Sequence, residues 1–445
     1  MLFGVSGLKR ALSSIAVLMV VGVSLVSCGG YKSPKATNSG FGFRAFVSNP
    51  LQPTAGGNLP VLSIVDAAKD SFTGFSVQLS GTSNFPGLMA ETPNLKDTLV
   101  FSSTGNTIAV VDNATEAVGA TGTTPLPAIP LLGPTESLLV WVDNATAFVA
   151  VPAAAVSGHP SGAVEVLGFL SGSTSPEAII PIASARYLAQ SHDGNSVLVF
   201  SDDAANSQDS PPECATAQCI TMISPGLLGT STDPRTPISS ASFDHPVWGV
   251  FSADDSTAYI FNCGPECGGS AASISVLDLT QNPPVVTSTI DVPAATRGIL
   301  SGPTLYVAGT PPGVSCPSGA PAATCGQLTA VDTGSLTVTG SVTINAGYHD
   351  RVVMGANGQL FVGASSKCTS CLSIFNTATS NAVLPPESGY VTGIEPISDR
   401  SVVYVCENGH LRVYDTTTDQ LQTLQIVIVG QAIDVKLVDP PGNFN

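Results

Sequence analysis

Charge is what this 445-residue sequence has least of: 11% of its residues are Asp, Glu, Lys or Arg, and 15 basic residues face 32 acidic ones. A chain so poor in cations cannot neutralise a phosphate backbone, which excludes nucleic acid as a partner. Helix signals are also scarce. Beyond the N-terminal leader no long stretch sets apolar residues at helical spacing between matching caps, which excludes a helical core. The five histidines, His159, His192, His245, His349 and His410, are scattered. They show no spacing such as H-x-x-E-H, so neither a catalytic metal centre nor a nucleophilic triad is readable; no catalytic residue, metal ligand or cofactor is expected. What is abundant is Gly, at 44, and Pro, at 34, together with Ser and Thr. That composition suits short strands joined by many turns.

The N-terminus sets the compartment. Lys9 and Arg10 form a positive n-region, and residues 11–26 an apolar h-region too short and too weakly flanked to span a bilayer. Leu25-Val26-Ser27-Cys28-Gly29 follows as a bacterial lipobox, with a small residue before the Cys. The expectation is a signal peptide over 1–27, lipidation of Cys28, a Gly/Ser/Pro-rich flexible tether over 28–42 and attachment to the membrane through acyl chains alone. Gly29 in place of Asp favours the outer membrane. Without Lys9 and Arg10 the mature chain has 13 basic against 32 acidic residues, a side-chain net charge of −19.

One pattern recurs through residues 43–439: a β-rich run ending in an acidic or amide residue, a Thr- or Ala-rich turn, and a second β-rich run. It reads LSIVDAAKDSFTGFSV from Leu62, IAVVDNATEAVG from Ile108, ISVLDLTQNPPVVTSTI from Ile274, LTAVDTGSLTVTGSV from Leu328, LSIFNTATSNAVL from Leu372 and LRVYDTTTDQLQTLQI from Leu411. Self-similarity at intervals of roughly 40 to 60 residues marks a repeat architecture. Innermost-strand candidates begin near Leu88, Ser137, Ala185, Val247, Thr296, Asp350, Tyr390 and Gln431, which is eight units, each of the first seven followed by further β-rich segments. Four strands per unit is a propeller blade. The last strand, 431–437, has no chain left to complete its blade, while strands at 43–47, 61–65 and 75–79 lack an inner partner. The two ends therefore share one blade and close the ring, which removes free sheet edges. Residues 440–445 are a C-terminal tail. Seven blades is the alternative, if the unit after Leu88 is an insertion.

At Val110-Val111-Asp112, Val331-Asp332-Thr333 and Val413-Tyr414-Asp415-Thr416 the pattern resembles the YVTN-type β-propeller family. The resemblance implies the fold and no particular activity, since propellers host binding proteins and enzymes alike. The repeated Asp is expected to be a turn former whose carboxylate binds nearby backbone N–H groups. Asn113-Ala114-Thr115 and Asn144-Ala145-Thr146, which match a glycosylation pattern, are read as turns.

Eight cysteines occur as near neighbours, Cys214 with Cys219, Cys263 with Cys267, Cys316 with Cys325 and Cys368 with Cys371, leaving Cys406 odd and buried. In an exported chain such pairs read as disulfides rather than as a zinc or redox site. All four fall between second and third strands of consecutive units, on the face that carries the connections between blades. That face is elaborated and the other is plain.

On the elaborated side Arg186, His245, Arg297, His349 and Arg351 fall at or just before innermost strands of four successive units. Basic residues are rare here, so their equivalent placement marks a candidate anion site at the channel mouth; pairing with Asp244, Asp350 or Glu395 is the structural alternative. The leading expectation is a non-enzymatic, membrane-anchored envelope propeller that binds or scaffolds protein or glycan. The alternatives are a lactonase-like hydrolase and a surface adhesion protein.

Overall fold

Several apolar runs are buried from end to end: Asp97–Ser102, Gln359–Ala364 and Val402–Glu407 have no exposed residue. A strand reads this way when both of its faces are covered. The cause is visible in the computed structural model of the protein, which describes residues 38–441 except 56, 80–84, 120–126, 202–217, 315, 317–324 and 423–424. The leader, Cys28, the tether up to residue 37, Cys214, the insertion before Gln218 and the last four residues lie outside the described residues.

Each second strand sits inside a small antiparallel sheet, and each sheet is packed between two others. There are eight sheets, seven of four strands and one with a fifth short strand. Their innermost strands are Val435–Leu437 in blade 1, Pro86–Glu91 in blade 2, Ser137–Val140 in blade 3 and Ala185–Gln190 in blade 4. Pro246–Phe251, Arg297–Ser301, His349–Met354 and Val391–Pro396 play the same part in blades 5 to 8. Each innermost strand touches the next, and that of blade 8 touches that of blade 1, so the ring is closed around a central channel. Aliphatic and aromatic side chains fill the seams between blades, as where Phe46, Leu62 and Ile64 of blade 1 meet Met89, Val100 and Val111 of blade 2. Outermost strands face solvent, and Thr337–Ile344 is exposed over its first five residues.

The ends do share a blade. Arg44–Thr54, Gly57–Asp66 and Ser71–Gln78 form its outer three strands, and Val435–Leu437 adds as the fourth, Ala45 opposite Leu437 and Val47 opposite Val435. The last strand is shorter than the expected 431–437 because its pairing turns irregular before Val435: Ser48 alone bonds both Ile433 N and Asp434 O through its backbone, while Asn49 Oδ1 accepts from Gln431 N at 3.0 Å and Ser48 Oγ from Asp434 N at 2.9 Å. The weak unit after Leu88 is a blade, so the count is eight. Its fourth strand is reduced to Ala117–Val118, with Ile129–Pro130 also pairing the third strand.

The repeated acidic or amide residue closes turns as expected. Asp112 Oδ1 accepts from the backbone of Ala114 and Thr115 at 2.8 and 2.9 Å, Asn376 Oδ1 from Ala378 and Thr379, and Asp415 Oδ1 from Thr417 and Thr418. On the plain face Gly194 adopts φ 74°, and a Cβ there would come within 2.5 Å of Val142 Cγ2, so only Gly fits this turn. Three disulfides, Cys263–Cys267, Cys316–Cys325 and Cys368–Cys371, join residues between second and third strands, and Cys219 is also disulfide-bonded. Cys406 is a buried free thiol.

Candidate functional site

Innermost strands begin irregularly. In blade 4 Ala185 pairs with Ser201 and Tyr187 with Phe200, so Arg186 is an extra, bulged residue. The same slip leaves Val247 extra in blade 5, Asp350 in blade 7 and Thr392 in blade 8. A bulge bends the strand and re-aims its side chains. Of the bulged residues, Arg186 and Asp350 line the channel cavity. The innermost strand of blade 6 has no bulge, and Arg297 pairs regularly with Ala308. Its next residue is Gly298, where a Cβ would lie 2.3 Å from Tyr306 O and 2.8 Å from Phe261, so the strand can seat against blade 5 only with Gly there.

These strands surround a cavity of about 640 Å³ that takes residues from six blades, Leu88, Ser137, Arg186, Trp248, Arg297 and Arg351 among them. The three arginines named from the sequence are thus brought together. Their partners differ. Arg186 is tied to Glu136 through Nε at 2.9 Å and Nη2 at 2.8 Å, and its guanidinium lies over the Tyr187 ring. Arg351 pairs through Nη1 with Asp350 Oδ2 at 3.1 Å and donates from Nε to Thr392 O at 2.8 Å. Arg297 lies with its guanidinium carbon 3.1 Å from the centre of the Trp248 ring, and among the described residues no carboxylate makes an ion pair with it. Burial draws its guanidinium down to about 10, well below the ordinary arginine value; Asp350 opposes that shift and the neighbouring Arg351 adds to it. Asp350 Oδ1 is buried without a hydrogen-bond partner. Tyr187 shares a hydrogen bond with Tyr348, and burial raises its phenol.

The two histidines stand apart from this cavity. His349 is 1% exposed, with Nε2 3.0 Å from Asn345 O, and burial pulls its imidazole from 6.5 down to about 4. His245 Nδ1 is 2.9 Å from Asp244 Oδ1, and Asp244 also accepts from the backbone of Ser270 and Ala271. Both therefore anchor loops near the mouth. Local pairing of the kind weighed against the anion site accounts for Arg186, Arg351 and His245, and leaves Arg297.

A second charged group lies further along the innermost strands. Lys436 Nζ is 3.4 Å from Glu395 Oε2, and Asp434 and Glu91 complete the set. Burial drives the Glu91 carboxyl well above its usual range, and Glu395 upward with it, while the carboxylates hold the Lys436 ammonium above its ordinary value against its own burial. Asp434 is held by the backbone N–H groups of Met89 and Val435. Among the described residues no His, Cys, Asp and Glu group is arranged to hold a metal ion.

Asp350 was named from the sequence as a possible partner of the arginines, whereas Tyr187, Trp248, Tyr348 and Glu136 were not singled out. A signal existed for most of them: Tyr187 follows Arg186, Tyr348 precedes His349, and Trp248 is one of two tryptophans in the chain.

Comparison with solved structures identifies the architecture. This chain is an eight-bladed β-propeller. The dihydro-heme d1 dehydrogenase NirN, in complex with DHE, superposes with a TM-score of 0.60 at 13% identity, covering 89% of this chain and 75% of that one. The Dos1 propeller gives 0.56 at 11% identity, covering 79% and 85%. Apo AztD from Citrobacter koseri gives 0.51 at 11% identity, covering 88% and 97%. At these identities the likeness is one of fold. No protein-family model matches the chain, and no curated protein matches it in sequence.

Proposed function

We propose that this propeller is an exported, lipid-anchored binding module of the bacterial cell envelope, and that its ligand is an anion held at the arginine-lined mouth of the channel. The observation that carries the reading is Arg297, a cation set into the ring with an aromatic ring beneath it and no ion-pair partner among the described residues. A guanidinium in such a place gains most from a ligand carboxylate or phosphate, through paired charge-assisted hydrogen bonds. Export is supported by the disulfides, which persist in oxidising compartments. The lipobox ending in Cys28 supports the anchor and Gly29 the outer membrane, and the Asp turns at Asp112, Asp332 and Asp415 support a YVTN-type repeat.

The hydrolase alternative calls for acidic and His side chains converging on one mouth. Glu136 and Asp350 are there, yet both hold arginines, and among the described residues no His lines the cavity. The dehydrogenase activity in NirN's description is not carried over, because a likeness at 13% identity is one of fold. A thermal-shift panel of anions on the full chain and on Arg297→Ala and Arg351→Ala tests the binding reading. Stabilisation of the parent by an anion, lost in Arg297→Ala, is expected; identical responses from parent and variants contradict it.

A further inference from the structure

Arg297 and Asp350 make complementary demands on whatever occupies the mouth. Among the described residues the cavity's charged lining is Arg186, Arg297 and Arg351 against Glu136 and Asp350, one more cation than anion. Glu136 holds Arg186 by two contacts, and Asp350 holds Arg351 while attracting Arg297. The spare charge therefore sits at Arg297. A single negative charge matches it, whereas a phosphate dianion overshoots it and meets the fields of Glu136 and Asp350.

The second demand is for a donor. Asp350 Oδ1 is buried and has no hydrogen-bond partner among the described residues, which is costly unless an occupant supplies one. A ligand that places a hydroxyl beside its carboxylate meets Arg297 with one group and Asp350 with the other. Ser103, Ser365 and Ser366 bring further hydroxyls to the cavity lining. The volume, about 640 Å³, is that of a site for an organic molecule and is far more than a small inorganic anion fills.

Resting on the binding reading above, we infer that the channel mouth selects a hydroxylated monocarboxylate of the sugar-acid class, its carboxylate on Arg297 and a neighbouring hydroxyl donating to Asp350. Such a group is carried by a free sugar acid or by the acidic end of a glycan, and the recognition chemistry is the same for both.

Calorimetric titration of the full chain with D-glucuronate, D-glucose, acetate and inorganic phosphate tests the inference without any variant. Glucuronate is expected to bind at least tenfold more tightly than acetate or phosphate, and glucose to give no measurable binding. A glucuronate-terminated disaccharide that binds more tightly than the monosaccharide assigns the glycan source, and one that binds more weakly assigns the free acid. Arg297→Gln is expected to lose glucuronate binding tenfold or more, and Asp350→Asn to erase the preference for glucuronate over acetate. Acetate or phosphate binding as tightly as glucuronate overturns the inference and leaves an anion site standing. Binding by none of the four overturns the inference, and the thermal-shift panel then decides the anion site separately.

Discussion

The guanidinium of Arg44 grips the carboxylate of Asp439 at two points, Nε to Oδ2 at 2.8 Å and Nη2 to Oδ1 at 2.7 Å, across 395 residues of intervening chain. Its remaining amino group reaches Glu116 in blade 2 at 2.6 Å. Arg44 is 1% exposed, and the contact fastens the last strand to the first within the blade that closes the ring. Replacing Asp439 with Ala leaves this guanidinium with half its partners in a buried place. Removing one member of a buried pair costs about 3 to 5 kcal/mol. Urea denaturation of Asp439→Ala should show a loss of that order, and a change below about 1 kcal/mol contradicts a closing role for the pair.

Glu266 links stability to pH. It lies in the turn Gly264–Cys267 enclosed by a disulfide, and its Oε2 accepts from Thr310 N of the next blade at 2.7 Å. Burial lifts its carboxyl from 4.5 to about 7, against that hydrogen bond and the attraction of Lys367. A folded-state value above the unfolded one means that the native state holds the proton more tightly, so this contribution is complete below pH 4.5 and is lost as pH rises through about 7. The span corresponds to about 3 kcal/mol. Glu266→Gln should equal the parent or be less stable near pH 5 and be the more stable of the two at pH 8. A parent that stays more stable at both pH values contradicts the assignment.

The anchor is tested at one atom. With Cys28 lipidated, the protein fractionates with membranes, takes up labelled fatty acid and enters detergent extracts. Cys28→Ala should carry no label and lose its detergent-dependent membrane association, because the described residues contain no helix long and apolar enough to cross a bilayer. A labelled variant contradicts the lipobox reading.

Much of the ring is legible in the sequence because a blade is a local structure. Runs such as the one ending at Asp332 mark a strand and its turn within a dozen residues, and eight such units determine the fold class. Strand ends were less legible, as at Gln431 and Asp434, where side chains of Asn49 and Ser48 from the far end of the chain bond the backbone and the ladder turns irregular. The site shows the same division. Arg186, Arg297 and Arg351 could be found by their equivalent positions, since position along a repeat is a local property. Which arginine already had a partner depends on Glu136, some 50 residues from Arg186, and on bulges that insert Arg186 and Asp350 as extra residues in their strands. No periodicity records a one-residue slip. His349, at an equivalent position, turns inward to Asn345 instead.

Trp248 gives the most direct test of the channel mouth, since the guanidinium that would receive the ligand rests on its indole. The other tryptophan, Trp141, packs edge-on to Phe148 in blade 3 and donates to Gly194 O at 2.8 Å, so Trp141→Phe leaves Trp248 as the sole indole reporter. Titrating that variant with D-glucuronate and following its emission should give a saturable change that glucose does not produce and that Arg297→Gln in the same background abolishes. An emission unchanged by glucuronate, or changed equally with and without Arg297, contradicts the account.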